Sequence, residues 1–168
     1  RSERQLELER DLGLALSKAA SLENTLHLCL RGALSAADLA GGAIYLGEDN
    51  GGFTLQESVG LQDISMTIEP ELSATSNVAE LVHAGEPVYF EPDAPNPLHF
   101  KNHGVALLPI RFRAKTLGFV LLIAGQSLSE QSRRLLNAVA ARVAPALLQA
   151  LQEEDIRRSR RDLENLFN

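Results

Sequence analysis

Two near-continuous apolar runs, Gly104–Phe112 and Leu117–Ala124, are joined only by Arg113-Ala114-Lys115-Thr116. Runs of this length suit strands better than helices, and so short a connection permits only an antiparallel hairpin. Both strands read apolar on both faces, which makes them central in a sheet covered on each side. Any fold for this chain must supply strands to flank the hairpin and layers to cover it.

The rest of the sequence offers both. Ala43–Leu46 and Phe53–Val59 surround Glu48-Asp49-Asn50-Gly51-Gly52, and the Asn-Gly pair predicts a second hairpin. In its second strand Phe53, Leu55, Glu57 and Val59 are expected to face one way, and Thr54, Gln56 and Ser58 the other. Val88–Phe90 reads as a further short strand, after which Pro92, Pro95 and Pro97 enforce a loop. Helical spacing predicts Arg1–Ala20, with Leu8, Leu12 and Leu16 on one stripe despite Gly13. A second helix, Ser21–Leu39, is capped by Ser21 and ended by Gly41-Gly42. Thr75–Ala84 follows, with Ser76 as cap and Gly85 as stop. The last helix, Glu130–Ala150, is capped by Ser129 and expected to kink at Pro145. Leu61–Ala74 reads as irregular. This order defines an α+β fold: a central antiparallel sheet of five to six strands with helices gathered mainly on one face.

The length of 168 residues suits one domain with helical extensions. We divide it into a linker helix over 1–20, a domain over 21–151 and a charged helix over 152–168. In that last helix Ile156, Ser159, Leu163 and Leu166 fall at heptad spacing. Both ends of the chain lie inside helical patterns, as expected of a segment cut from a longer protein.

Charge narrows the function. The net charge is −6, which argues against nucleic acid, since phosphate binding needs clustered Lys and Arg. From Gly32 to Phe100 there is no Lys or Arg, so an anion held there would depend on backbone N–H groups. Cys29 is the only cysteine. A single thiol makes no internal disulfide and suits a reducing, cytoplasmic setting. No uninterrupted apolar stretch reaches the length of a membrane span.

The order of these segments resembles a GAF domain over about Ser21 to Leu151. The helix SLENTLHLCLRGAL followed by GGAIYLGEDNGGFTLQESVGL is similar to the family's first helix and hairpin. SNVAELVHAGEPVYF is similar to its short helix and third strand. GVALLPIRFRAKTLGFVLLIAG, with Pro109 late in one strand and Leu117-Gly118 opening the next, is the most specific piece. LSEQSRRLLNAVAARVAPAL resembles the closing helix. The tail RRSRRDLENLFN looks like a helix leading into a PAS domain, as in a histidine kinase or another two-component signalling protein. The resemblance implies terminal helices packed together on one face of a GAF/PAS-like sheet and a small-molecule pocket, where one exists, on the other. The Leu61–Ala84 segment and the Glu91–Asn102 loop would cover that pocket, and terminal helices often pair two copies.

Tyr45, Glu57, Met66, Val82, Tyr89, Phe100, His103 and Val105 are the candidate ligand-binding residues of such a pocket. Leu8, Leu12, Ile156, Leu163 and Leu166 are the candidate dimer-helix residues. Cys29, among Leu26, Leu28 and Leu30, reads as core rather than as a redox or chromophore-attachment thiol. His83, His99 and His103 read as hydrogen-bonding side chains rather than as metal or haem ligands. The Asn-Lys…Phe…Asp-Glu signature of cyclic-nucleotide-binding members is absent, and no nucleophile–base constellation appears. No catalytic residue, metal or other cofactor is therefore expected. The sequence predicts a non-catalytic sensory module that binds an unknown small molecule, dimerises, and is linked to PAS or kinase output domains. The alternative is a dimerisation spacer with a collapsed, empty pocket.

Overall fold

The computed structural model describes residues 3–18, 21–37, 39–64 and 66–167. In chain order the elements are α1 (Glu3–Lys18), α2 (Leu22–Ala36), β1 (Gly41–Gly47), β2 (Phe53–Val59), a 3-10 turn (Gln62–Ile64), β3 (Glu71–Leu72), α3 (Asn77–His83), β4 (Val88–Phe90), β5 (Gly104–Phe112), β6 (Lys115–Ala124) and α4 (Glu130–Leu166). The six strands form one antiparallel sheet in the order β3-β2-β1-β6-β5-β4. The β5–β6 hairpin is inside it, as its doubly apolar strands require.

Two cores sit on the two faces. On one, α1, α2 and α4 cover Ile44, Leu108, Ile110, Val120 and Leu122. On the other, α3 and the loops cover Tyr45, Phe53, Leu107, Phe119 and Leu121. We call these the helix face and the lid face.

The caps read from the sequence are made. The N–H of Asn24 donates to Ser21 Oγ at 3.1 Å, that of Ala79 to Ser76 Oγ at 3.2 Å, and that of Ser132 to Ser129 Oγ at 3.1 Å. Gly85, at φ +90°, supplies the left-handed step after α3.

Several expectations are corrected. The second helix ends at Ala36, with Ala37 extended, and Gly41-Gly42 open β1 instead of stopping a helix. They are glycines because the sheet is tight there. A Cβ on Gly41 would lie 2.7 Å from the Val59 carbonyl oxygen, and one on Gly42 2.9 Å from that of Leu121. Gly13 sits within α1, where the guanidinium of Arg142 on α4 occupies the space its Cβ would need. The segment read as irregular contains β3, which pairs Leu72 with Phe53 and Glu71 with Thr54. Residues 1, 2, 19 and 20 of the predicted first helix and Asn168 at the chain end lie outside the described residues.

The alternation predicted for β2 holds only as far as Leu55. Ile44 pairs with Glu57 but Tyr45 pairs with Leu55, so Gln56 is an extra residue in a β-bulge. The bulge turns the rest of the strand over. Phe53 and Leu55 pack on the lid face, whereas Val59 packs on the helix face.

The predicted dimer helices fare differently. Leu12 is only 6% exposed and belongs to the chain's own helix-face core, its methyls packed on Gly32. Leu8 is half-buried against the same core. Both are therefore occupied within the chain. Ile156, Leu163 and Leu166 are 60%, 58% and 78% exposed. They lie on α4, which runs unbroken for 37 residues through Pro145. Its first half buries Leu135, Leu136, Val139, Val143 and Leu147. From Gln152 to Phe167 every residue except half-buried Glu154 is exposed. By length and composition α4 could cross a membrane, but these apolar side chains of its first half are spent on the core.

Candidate functional site

The lid face is where a ligand would sit, so its construction matters most. Its floor comes from alternate residues of the central strands: Val105 and Leu107 on β5, Phe119, Leu121 and Ile123 on β6, Ala43 and Tyr45 on β1. Its roof is Val78, Ala79 and Val82 of α3 together with Leu61, all buried. Around the rim, Ile64, Met66, Ile68, Leu98 and Phe100 are half-buried.

Three of the chain's eight aromatic residues fill the middle. Tyr45 and Phe119 stack at 4.8 Å between ring centroids, with planes 4° apart, and Phe53 meets Phe119 edge-on at 5.0 Å. The Tyr45 hydroxyl donates to the Glu69 backbone carbonyl at 2.6 Å, tying the floor to the lid. Burial, and secondarily the Glu69 charge, pushes the Tyr45 pKa up to about 12. His83 joins the edge of this group: its Nε2 is 2.7 Å from the Gly51 carbonyl oxygen, and its ring lies 5.0 Å from that of Phe53.

The sequence-predicted pocket residues divide. Tyr45, Val82 and Val105 are buried in the lid-face core, and Met66 and Phe100 pack at its rim. The other three are not with them. Glu57, turned over by the Gln56 bulge, points to the helix face, where its Oε1 is 2.8 Å from His27 Nδ1 on α2. Tyr89 packs on the helix-face core and donates its hydroxyl to Asn137 Oδ1 on α4 at 3.0 Å. His103 lies in the loop before β5, its Nδ1 3.0 Å from the Lys101 carbonyl oxygen. Among the described residues no three His, Cys, Asp or Glu side chains gather as a metal site would require. Cys29 is wholly buried on the helix face, and burial pushes its thiol up to about 12, away from reactivity.

Two of the recesses are open to solvent at the surface. One, of about 770 Å³, is at the β1–β2 turn and β3, where Phe53 and Leu72 of the lid-face core line it. The other, of about 710 Å³, is an open groove between the start of α2, the bulged part of β2, and Glu154 and Arg157 of α4.

Sequence reasoning missed Phe53 and Phe119 as the plug of the lid face, although the apolar alternation of their strands carried that signal. It also missed Asn96. This side chain is 7% exposed. Its Oδ1 accepts from the N–H groups of Leu98 and Phe100, both at 3.1 Å, and its Nδ2 donates to the Phe100 carbonyl at 2.7 Å. Nothing in a polar residue between two prolines announces such a role.

Comparison with known proteins agrees with this architecture. The GAF domain family profile matches residues 19–148. No curated protein sequence matches the chain significantly. Among solved structures, the GAF domain of a phosphoenolpyruvate-protein phosphotransferase from Acinetobacter is similar at a TM-score of 0.72 and 21% identity, over 90% of this chain and 97% of that one. Its counterpart from Coxiella burnetii gives 0.73 and 18%, over 90% and 96%. The chromophore-binding domain of a bacteriophytochrome from R. palustris gives 0.71 and 9%, over 91% and 64%. At such identities the likeness is one of fold.

Proposed function

Since this chain belongs to the GAF domain family, a family of regulatory and sensory modules, we propose that it is a non-catalytic relay module of a larger cytoplasmic signalling protein. Its output runs through α4 to a further domain such as a PAS or kinase domain, and two copies pair through the distal half of that helix. One observation carries this reading. A single helix is core in its first half and solvent-exposed in its second, with Ile156, Leu163 and Leu166 presented at heptad spacing. Any change in how α4 packs on the sheet is thereby carried rigidly out of the domain.

The filled lid face favours the relay without a resident ligand: Tyr45, Phe53 and Phe119 are each no more than 1% exposed. A small-molecule sensor is the second reading, and the half-buried rim of Met66, Ile68, Leu98 and Phe100 favours it, because a lid closed by such residues opens at modest cost. A ligand would act by preferring the open arrangement.

Leu163→Cys tests the paired relay. Cys29 is buried, so mild oxidation cross-links two copies only if their α4 helices meet in parallel register. A cross-linked dimer at micromolar concentration is expected. A chain that stays monomeric under those conditions contradicts the pairing.

A further inference from the structure

The segment from Glu91 to His103 connects β4, the edge strand, to β5 and makes contacts on both faces of the sheet. On the lid face Leu98 and Phe100 pack against the core. On the helix face Glu91 binds the first turn of α4 and the turn before it. Its Oε1 accepts from Arg133 Nη2 at 3.2 Å, and its Oε2 accepts from the Ser127 hydroxyl. The Arg133 guanidinium also lies over the Tyr89 ring, 4.5 Å from its centroid. Tyr89 in turn bonds Asn137, one turn along the helix.

Between these two attachments the segment is stiff. Pro92, Pro95 and Pro97 fix three φ angles. Asn96, at the centre, is buried and holds three hydrogen bonds to Leu98 and Phe100. A stiff segment fixed at both ends transmits a displacement rather than absorbing it.

We propose that Arg133 couples this segment to α4, so that lifting Leu98 and Phe100 off the lid face withdraws Glu91 and loosens the first turns of the output helix. The proposal rests on the reading of α4 as the output element and names the residue through which the lid reaches it. Arg133 is poised for this. Its Nε is buried with no hydrogen-bond partner, so the side chain depends on Glu91 and the Tyr89 ring. Removing Glu91 leaves a partly buried cation held by one aromatic face, and the helix end that carries it must readjust.

Hydrogen–deuterium exchange on the 168-residue chain tests this with Glu91→Gln. The control is Asp93→Asn, which makes the same charge change at an exposed position of the same segment. Glu91→Gln is expected to raise exchange at least about threefold, both in residues 94–103 and in residues 130–137, with the control raising neither. If Glu91→Gln loosens the whole chain, Ser127→Ala, which removes only one bond to Glu91, is expected to give a smaller rise in the same two regions. A rise confined to residues 94–103, or no rise in either region, overturns the coupling. Loss of the Leu163→Cys cross-link with the paired rise intact sinks the relay reading and leaves the coupling standing; the reverse sinks the coupling alone.

Discussion

The ring of Tyr45 on β1 lies flat against that of Phe119 on β6, 4.8 Å away and within 4° of parallel. These are neighbouring strands whose two residues are register partners. The stack occupies the centre of the face on which a ligand would bind, and the Tyr45 hydroxyl fastens it to the lid at Glu69. Phe119→Ala should therefore cost about 3–5 kcal/mol in urea unfolding, as expected for emptying a packed aromatic site. Tyr45→Phe keeps the stack and loses the lid bond. It should cost about 1 kcal/mol globally, with increased exchange concentrated in residues 66–72. A uniform rise across the sheet would contradict the tie between Tyr45 and the lid.

The Gln56 bulge makes a sharper prediction, because a one-residue slip in a strand exchanges its faces. Deleting Gln56 makes Leu55 and Glu57 consecutive, so both keep their faces and partners, whereas deleting Ser58 must send Val59 or, if the bulge closes, Glu57 to the lid face. The Gln56 deletion is expected to keep cooperative thermal unfolding and the Ser58 deletion to lose it. Equal tolerance or equal loss in the two deletions would show that the register is not set here.

Gly118 and Gly125 form a matched pair. A Cβ on Gly118 would lie 2.2 Å from the Tyr45 carbonyl oxygen, while one on Gly125 would meet nothing within 4 Å. Gly118→Ala should destabilise by more than about 2 kcal/mol through overpacking and strand displacement. Gly125→Ala should stay within about 0.5 kcal/mol. Chemical denaturation of the two variants side by side checks this.

Alkaline pH should weaken the fold through two buried groups. Cys29 is raised from 9.0 to about 12 and Tyr45 from 10.0 to about 12, both chiefly by burial. Each stays protonated in the folded chain after the unfolded chain has released its proton. Their stabilising contribution is whole below pH 9 and falls between pH 9 and about 12, at up to about 1.4 kcal/mol per pH unit for each group. Cys29→Ala should lower stability at pH 7 and flatten the decline between pH 9 and 10, measured by urea titration at each pH.

The sequence was most legible where local chemistry decides the outcome. The β5–β6 hairpin is doubly apolar, and the three serine caps each sit before a periodic run. Legibility ended where distant segments decide. Gly41-Gly42 looked like a helix stop because only the tertiary fold brings Val59 and Leu121 against them. Glu57 looked pocket-facing because strict alternation carries no sign of a bulge, and Tyr89 because a three-residue strand has too few positions to show its faces. Leu12 looked free for a dimer because one apolar stripe at helical spacing serves equally well for pairing two copies and for packing on Gly32 within the chain. Of the eight pocket candidates, those on the lid face are Tyr45, Val82 and Val105 in the core and Met66 and Phe100 at the rim. The aromatic plug that closes that face is a pairing between strands, which no single strand displays.

Native mass spectrometry of the purified chain, run beside its denatured mass, tests the central claim most directly. A relay module with a filled lid face and paired α4 helices should appear at twice 18.3 kDa, with no mass beyond two chains. A monomer carrying a stoichiometric small molecule that leaves on denaturation would contradict the account on both points.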